Sequence, residues 1–137
     1  MGTFSGFGTY KVSSVGTERI FVVYDENGFS LSDGLFDHMT WHCWGTTDYI
    51  NGIGQGQGYC IGTDPDGDKI AANTGPDEKH DPRQKSWSSP VTYTSGTGKF
   101  SGITGAATYV NHANEFRPSN DATFVNYATV KGSYKLP

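Results

Sequence analysis

The stretch Ile50-Asn51-Gly52-Ile53 decides the fold of this chain, because it forms a two-residue turn between two segments of strand-like composition. Asn-Gly is the strongest short hairpin signal, since both central residues of a type I′ turn need a positive φ. A turn of this length also sets the register of the two strands. Cys43 then faces Cys60, and the turn predicts a long antiparallel hairpin.

The two cysteines of the chain are brought side by side by this register. Counted outward from the turn, Cys43 and Cys60 form a non-hydrogen-bonded pair, in which the Cα atoms approach to roughly 4.5 Å, close enough for a disulfide. A disulfide would fit an oxidising compartment, whereas two reduced thiols also pack well across strands. The sequence predicts the contact and leaves both redox states open.

The composition indicates a single all-β domain. The chain has 137 residues, 19 glycines and 14% aromatic residues, and no long segment shows the 3.6-residue apolar repeat of a helix. The net charge is −4 with Lys and Arg scattered, so the basic patch that nucleic-acid binding needs is missing. No apolar run is long enough to span a bilayer. We therefore expect a soluble protein with neither a nucleic-acid nor a membrane partner. The sequence leaves its compartment open, with the cytoplasm favoured.

Strand-like segments bounded by Gly, Pro, Asn or Asp occur eight times along the chain. Mostly tight connections favour an antiparallel meander that closes on itself, which leaves no strand edge exposed. We therefore predict a closed eight-stranded antiparallel barrel over residues 1–137. The polar stretches 75–85 and 114–121 are predicted to be solvated loops. The predicted strands are residues 4–13, 18–25, 39–50, 53–63, 68–74, 86–95, 105–111 and 122–136.

The two faces of the predicted sheet follow from the alternation of side chains along a strand. A four-residue turn at positions 64–67 pairs Ile61 with Ile70. We assign one face to the barrel interior, because it carries an apolar cluster, whereas Lys69 and Asn73 on the other face require water. The alternative is that this other face, which also carries Met39, Trp41 and Cys43, lines the interior. The face assigned to the interior contains His42, Trp44, Thr46, Asp48, Gln55, Gln57, Tyr59, Ile61, Ile70 and Ala72.

An interior of this composition predicts a ligand cavity with apolar walls and few polar groups. His42 is the candidate acid–base group, because its reference pKa lies near neutrality, and Tyr59 is the candidate hydrogen-bond donor. The alternative is a network that only stabilises the core. The remaining predicted contacts with the substrate are Trp44, Ile61 and Ile70 as walls and Asp48, Gln55 and Gln57 at the polar end.

No metal or cofactor is predicted. His38 and His42 are four residues apart, and on a strand that spacing separates two side chains by roughly 13 Å, beyond the reach of a shared metal. Asp64, Asp66 and Asp68 lack the remaining spacing and the distal Glu of a calcium loop. A hairpin turn explains these three carboxylates better.

The segment from Gly96 to Gly105 has the pattern G-x-G-x-F-x-G-x-x-G. It resembles the signature of allene oxide cyclases and, more loosely, of dirigent proteins. The resemblance implies a small eight-stranded barrel of the calycin type that binds an apolar or aromatic molecule. In enzyme members it implies cyclisation or isomerisation without a cofactor, often in a homo-oligomer. The His- and Trp-bearing third strand differs from the plant cyclases, so no catalytic residue is carried over.

The sequence thus predicts a cofactor-independent isomerase, cyclase or lyase that acts on a small apolar or aromatic molecule. The barrel would hold the substrate in a reactive conformer while one acid–base group moves a proton. Two alternatives stay open. A lipocalin-like carrier would use the same cavity without proton chemistry, and a purely structural barrel would fill its interior with side chains.

Overall fold

The fold, described from a computed structural model, is a closed antiparallel barrel in which eight strands follow one another in sequence order. The predicted fold class is confirmed. The structure describes residues 1–81, 84–112 and 122–137, so the predicted loop at 114–121 lies outside the described residues. One turn of 3-10 helix, Gly98–Phe100, precedes β7. The strands are β1 Gly2–Val15, β2 Arg19–Ser32, β3 Met39–Ile50, β4 Ile53–Thr63, β5 Lys69–Thr74, β6 Ser86–Gly96, β7 Thr104–His112 and β8 Ala122–Lys135.

The barrel has two ends, which we call upper and lower. The upper end carries the β1–β2 turn at residues 16–18 and the β3–β4 turn at residues 51–52. The lower end carries the connections at residues 33–38, 64–68 and 97–103. Among the described residues, no helix has the length and apolar character needed to cross a membrane.

The β3–β4 hairpin has the predicted turn and register. Asn51 and Gly52 both have positive φ, at 49° and 82°, as a type I′ turn requires. Cys43 faces Cys60, and the two residues form a disulfide with their Cα atoms 4.1 Å apart. Of the two redox states that the sequence left open, the structure has the oxidised one.

Strand β2 is longer than predicted. It was expected to end at residue 25, because Asp25-Glu26-Asn27-Gly28 has the composition of a turn, yet it continues to Ser32. These four residues pair with β1 on one side and β3 on the other. The ring of Phe4 lies over Gly28, where a β carbon would come within 2.6 Å of its Cζ. Neighbouring strands and this aromatic contact override the local preference for a turn.

The assignment of the faces is wrong for β3 and β4. Met39, Trp41, Cys43 and Tyr49 point inward and are buried. The physical reason is space, because β4 turns glycines to the interior at positions 54, 56, 58 and 62, beside these large side chains. A β carbon at residue 54 would come within 2.5 Å of the Tyr49 ring. The residues that instead point outward are His42, Trp44, Thr46, Asp48, Gln55, Gln57, Tyr59 and Ile61.

The register between β4 and β5 is also one residue away from the prediction. The connection contains five residues, 64–68, because the Asp64 carboxylate accepts hydrogen bonds from the backbone N–H groups of Asp66 and Asp68, each at 2.9 Å. Ile70 therefore faces Gly62 rather than Ile61. Ile70 and Ala72 point inward as predicted, but on the face opposite to Ile61.

A cluster of packed apolar side chains lies in the lower half of the barrel. Phe100 is fully buried there, and its ring lies 6.0 Å from that of Phe36 in the β2–β3 connection. Burial of this apolar cluster is the main stabilising contribution of the core. Its other buried members are Phe4, Met39, Trp41, Cys43, Cys60, Ile70, Ala72, Val91, Tyr93, Ile103, Ala107 and Ala128.

Candidate functional site

The upper half of the barrel interior contains a cavity of about 410 Å³, which we call the upper cavity. A smaller cavity of about 160 Å³ lies in the lower half. Cys60, Thr74 and Tyr109 line both, so they mark the boundary between the two. Aromatic side chains supply much of the wall of the upper cavity, namely Phe4, Tyr10, Tyr24, Tyr49, Trp87, Tyr109 and Phe124.

Glu26 is the most unusual polar group in this wall. Only 5% of the residue is exposed, although strand β2 carries it into a mainly aromatic cavity. The Asn126 side chain hydrogen-bonds to the carboxyl group, yet Oε2 has no hydrogen-bond partner among the described residues. Burial raises the pKa of Glu26 to about 7, and the Asn126 hydrogen bond opposes that shift. The group therefore exchanges a proton near neutral pH.

The predicted solvated loop at 75–85 is in part a piece of the barrel wall. Where β5 ends, residues 75–80, which we call the strap, continue between β4 and β6. The N–H of Asp77 donates to the Gly56 carbonyl at 2.9 Å, and Gly54 and His80 exchange backbone hydrogen bonds of 2.7 and 2.9 Å. On the other side, the N–H of Glu78 donates to β6. These backbone hydrogen bonds to the two neighbouring strands explain how a polar segment can form part of the barrel wall.

The strap places two further ionisable side chains in the cavity wall. Burial raises the pKa of Asp77, whereas a hydrogen bond from the Ser89 side chain, the electrostatic effect of the neighbouring His80 and a hydrogen bond from the Gly56 N–H oppose this shift. His80 is 3% exposed, and its ring stacks on that of Trp87 with centroids 4.3 Å apart. Its Nδ1 lies 3.0 Å from the Glu78 carbonyl oxygen. Since a carbonyl only accepts, Nδ1 carries a proton and donates to it.

Two tyrosines in the same wall respond to these carboxyl groups. Burial, followed by the negative charges of Asp77 and Glu26, raises the pKa of Tyr24 to about 12, against a hydrogen bond with Thr74. Burial also raises the pKa of Tyr109, with smaller effects of Tyr93 and Glu26. Both hydroxyls therefore keep their protons at neutral pH and can donate hydrogen bonds inside the cavity.

None of the eight predicted site residues lines either cavity. His42, Trp44 and Tyr59 do come together, with ring centroids 5.1 and 6.1 Å apart along the row, but they lie on the outer surface. His42 Nε2 lies 3.0 Å from an Asp25 carboxylate oxygen. The prediction that this row lines the barrel interior is wrong, because the opposite face of β3 and β4 fills it.

The other predicted contacts are separated from one another. Asp48 forms an ion pair of 2.6 Å with Arg19 on the outer surface, and Gln55 donates to the Asp77 carbonyl at 2.8 Å. Gln57 and Ile61 are exposed. Ile70 is 1% exposed and belongs to the lower core. The structure therefore does not assemble a polar end from Asp48, Gln55 and Gln57 inside the barrel.

Sequence reasoning missed Glu26, Asp77 and His80. Glu26 lay just beyond the predicted end of β2, although the alternation of Val22 and Tyr24 as inward residues, continued by two, reaches Glu26. That continuation is the one local signal for the residue. Asp77 and His80 had no such signal, since their polar segment resembles any surface loop.

Comparison of the chain with protein-family models, with curated proteins and with solved structures finds no match. The resemblance of residues 96–105 to allene oxide cyclases therefore stays a prediction. Within residues 1–81, 84–112 and 122–137, no group of three or more His, Cys, Asp or Glu side chains could hold a metal ion. The upper cavity is the feature from which a function can be argued.

Proposed function

We propose that the upper cavity binds a small apolar or aromatic molecule and that Glu26 transfers a proton on it, which makes the protein a cofactor-independent isomerase, cyclase or lyase. One observation carries the proposal. Glu26 is a buried carboxyl group with an unpartnered oxygen in the wall of a cavity of about 410 Å³. A buried polar atom without a partner costs stability, and such groups cluster at functional sites.

The volume of the cavity supports a ligand-binding role. Small-molecule sites are concave, mostly apolar, and measure roughly 300–1,000 Å³. A barrel with a purely structural interior would leave room for only a few waters. The aromatic wall around Glu26 suits a flat or apolar molecule, which the cavity would hold in one conformer and thereby lower the entropic barrier to reaction.

The pKa of Glu26 supports the acid–base role. A general base works best when its pKa lies near the operating pH, and burial raises the pKa of Glu26 to about 7. The protonated hydroxyl of Tyr24 would donate a hydrogen bond to an oxygen that gains negative charge in the reaction. Glu26 therefore takes the role that the sequence suggested for His42, and Tyr24 the role suggested for Tyr59.

The test uses 5-nitrobenzisoxazole, a neutral aromatic compound whose ring opens when a base removes the proton on C3. The electrons of the C–H bond form the nitrile, the N–O bond breaks, and its electron pair stays on the oxygen of the single coloured product, a cyanonitrophenolate. We expect turnover that rises with pH around an apparent pKa near 7. Glu26→Gln should lower the rate by about a hundredfold.

The matched control is Glu18→Gln, which removes an exposed carboxyl group and should leave the rate unchanged. Equal rates in the two variants would refute Glu26 as the base. A carrier, the second candidate, is favoured by the same cavity volume. It would bind 5-nitrobenzisoxazole, detected as quenching of tryptophan fluorescence, without opening the ring.

The outer surface supports a further proposal, that the barrel associates with a second copy of itself. Phe7 and Val125 face each other across β1 and β8 and are 68% and 65% exposed. Phe29 and Tyr127 extend this patch on the same outer face. Contiguous exposed apolar residues of this kind mark interaction sites, and the patch lies on strands rather than at a barrel end.

A further inference from the structure

We propose that the ligand of the upper cavity carries a protonated amine attached to an aromatic or apolar body. The inference rests on the proposed function, because it concerns the same cavity, but it adds the charge of the ligand. It contrasts with a carboxylate ligand, which an apolar barrel could otherwise accommodate equally well.

The balance of charged groups in the cavity wall is the first argument. Glu26 and Asp77 both line it, whereas none of its described lining residues is Lys or Arg. A carboxylate ligand would bring a third acidic group into a site of low dielectric without a fixed positive partner, which is strongly unfavourable. A cation finds two acidic partners there.

The unpartnered oxygen of Glu26 is the second argument. Asn126 already forms a hydrogen bond with the Glu26 carboxyl group. Only 5% of Glu26 is exposed, and its Oε2 has no donor among the described residues. The Glu26 side chain lines the cavity, so its carboxyl group holds a buried acceptor without a donor at the edge of that cavity. An ammonium N–H that reached this carboxyl group would form a charge-assisted hydrogen bond, which is roughly twice as strong as a neutral one.

The remaining groups around the cavity are compatible with a cation. The rings of Tyr24 and Phe124 lie in the wall, 6.4 Å apart and edge to face, and aromatic faces attract ammonium groups. Two histidines also line the cavity, His80 on the strap and His112 at the upper end of β7.

The test compares three indoles that differ in the charge of one side chain. Tryptamine carries an ammonium group, tryptophol a neutral hydroxyl, and indole-3-acetate a carboxylate. Titration calorimetry at pH 7 should give a dissociation constant at least tenfold lower for tryptamine than for tryptophol, and the weakest binding for indole-3-acetate. Glu26→Gln should reduce the preference for tryptamine to less than twofold, whereas Glu18→Gln should retain it.

A second measurement needs no variant and therefore does not depend on the folding of Glu26→Gln. Because the pKa of Glu26 is about 7, binding of the cation should ionise the carboxyl group and release about half a proton at pH 7. The binding enthalpy of tryptamine should then change with the ionisation enthalpy of the buffer. That of tryptophol should not change.

The outcomes separate the inference from the proposed function. If tryptophol binds as tightly as tryptamine, or if tryptamine binds without proton release, the amine inference is overturned while the cavity remains a ligand site. If none of the three indoles binds and 5-nitrobenzisoxazole is not opened, both fail. Preferential binding of indole-3-acetate would overturn the inference most directly.

Discussion

Glu26 on β2 and Asn126 on β8 are joined by a side-chain hydrogen bond across strand β1, which lies between them. The bond is possible because Gly6 of β1 has no side chain. A β carbon at this position would come within 3.0 Å of Glu26 Oε2. The glycine of one strand thus makes room for the acidic group of the next, and three adjacent strands define the position of the carboxyl group.

Gly6→Ala tests this arrangement. The added methyl group would crowd Glu26 Oε2, the tip of the Phe4 ring at 3.0 Å and the Asn27 carbonyl at 3.1 Å. Overpacking of this kind costs about 1–3 kcal/mol of unfolding free energy, measurable by urea denaturation. Gly34→Ala is the matched control, because no atom lies within 4 Å of its β-carbon position. A Gly6→Ala protein as stable as the control would contradict the proposed crowding.

The stability of the protein should depend on pH through Glu26. The carboxyl group titrates near 4.5 when unfolded and at about 7 when folded, so the folded state binds its proton more tightly. The contribution of Glu26 to the unfolding free energy is therefore fully present below pH 4.5 and is lost as the pH rises through 7. The wild-type protein should lose on the order of 3 kcal/mol of unfolding free energy between pH 4.5 and 8. Glu26→Gln should abolish this loss. Urea midpoints of both proteins across this range measure it, and parallel curves would contradict the assignment.

The disulfide between Cys43 and Cys60 should contribute measurably to stability. It closes a loop with a sequence separation of 17 residues, and a loop of that size contributes about 3 kcal/mol by restricting the unfolded chain. The double variant Cys43→Ala, Cys60→Ala should therefore unfold at a clearly lower urea concentration. Wild-type protein treated with a reductant is the control for loss of side-chain volume. If reduction leaves the urea midpoint unchanged, the bond has no stabilising role.

The outer row of aromatic residues should be dispensable for chemistry in the cavity. His42 is on the outer surface beside Asp25, and it lines neither cavity. His42→Ala should consequently leave the opening of 5-nitrobenzisoxazole unchanged, in contrast to Glu26→Gln. A loss in His42→Ala as large as that in Glu26→Gln would contradict the exclusion of His42 from the chemistry.

Association with a second copy should depend on the patch around Phe7. Phe7→Glu places a charge on the exposed outer face of β1, where Val125 of β8 is its neighbour, and desolvating that charge opposes association. Sedimentation equilibrium should show a dimer or larger species for the wild type and a smaller one for the variant. Phe21→Glu, at a site away from the patch and 38% exposed, is the control. A wild-type monomer at micromolar concentration would refute the proposal.

Local sequence signals predicted the elements of the barrel better than their faces. The turn at Asn51-Gly52 gave the correct β3–β4 register, because a type I′ turn has few alternatives. The connection at 64–68 did not give the correct β4–β5 register. Hydrogen bonds from the backbone to the Asp64 carboxylate stabilise a turn that is one residue longer than predicted. A shift of one residue changes the face of every side chain that follows. That shift contributed to the wrong interior assignment.

Residue type and spacing along the chain thus determined that the protein is an eight-stranded antiparallel barrel and that Cys43 meets Cys60. Closure of the barrel decided which side of each strand became the interior. A narrow interior cannot hold large side chains from both of two neighbouring strands, so the glycines of β4 turn inward beside Trp41 and Tyr49 of β3. The same closure buried Glu26, although the residue lies in a stretch of sequence that resembles a turn. Burial depends on the surrounding strands rather than on the residue itself.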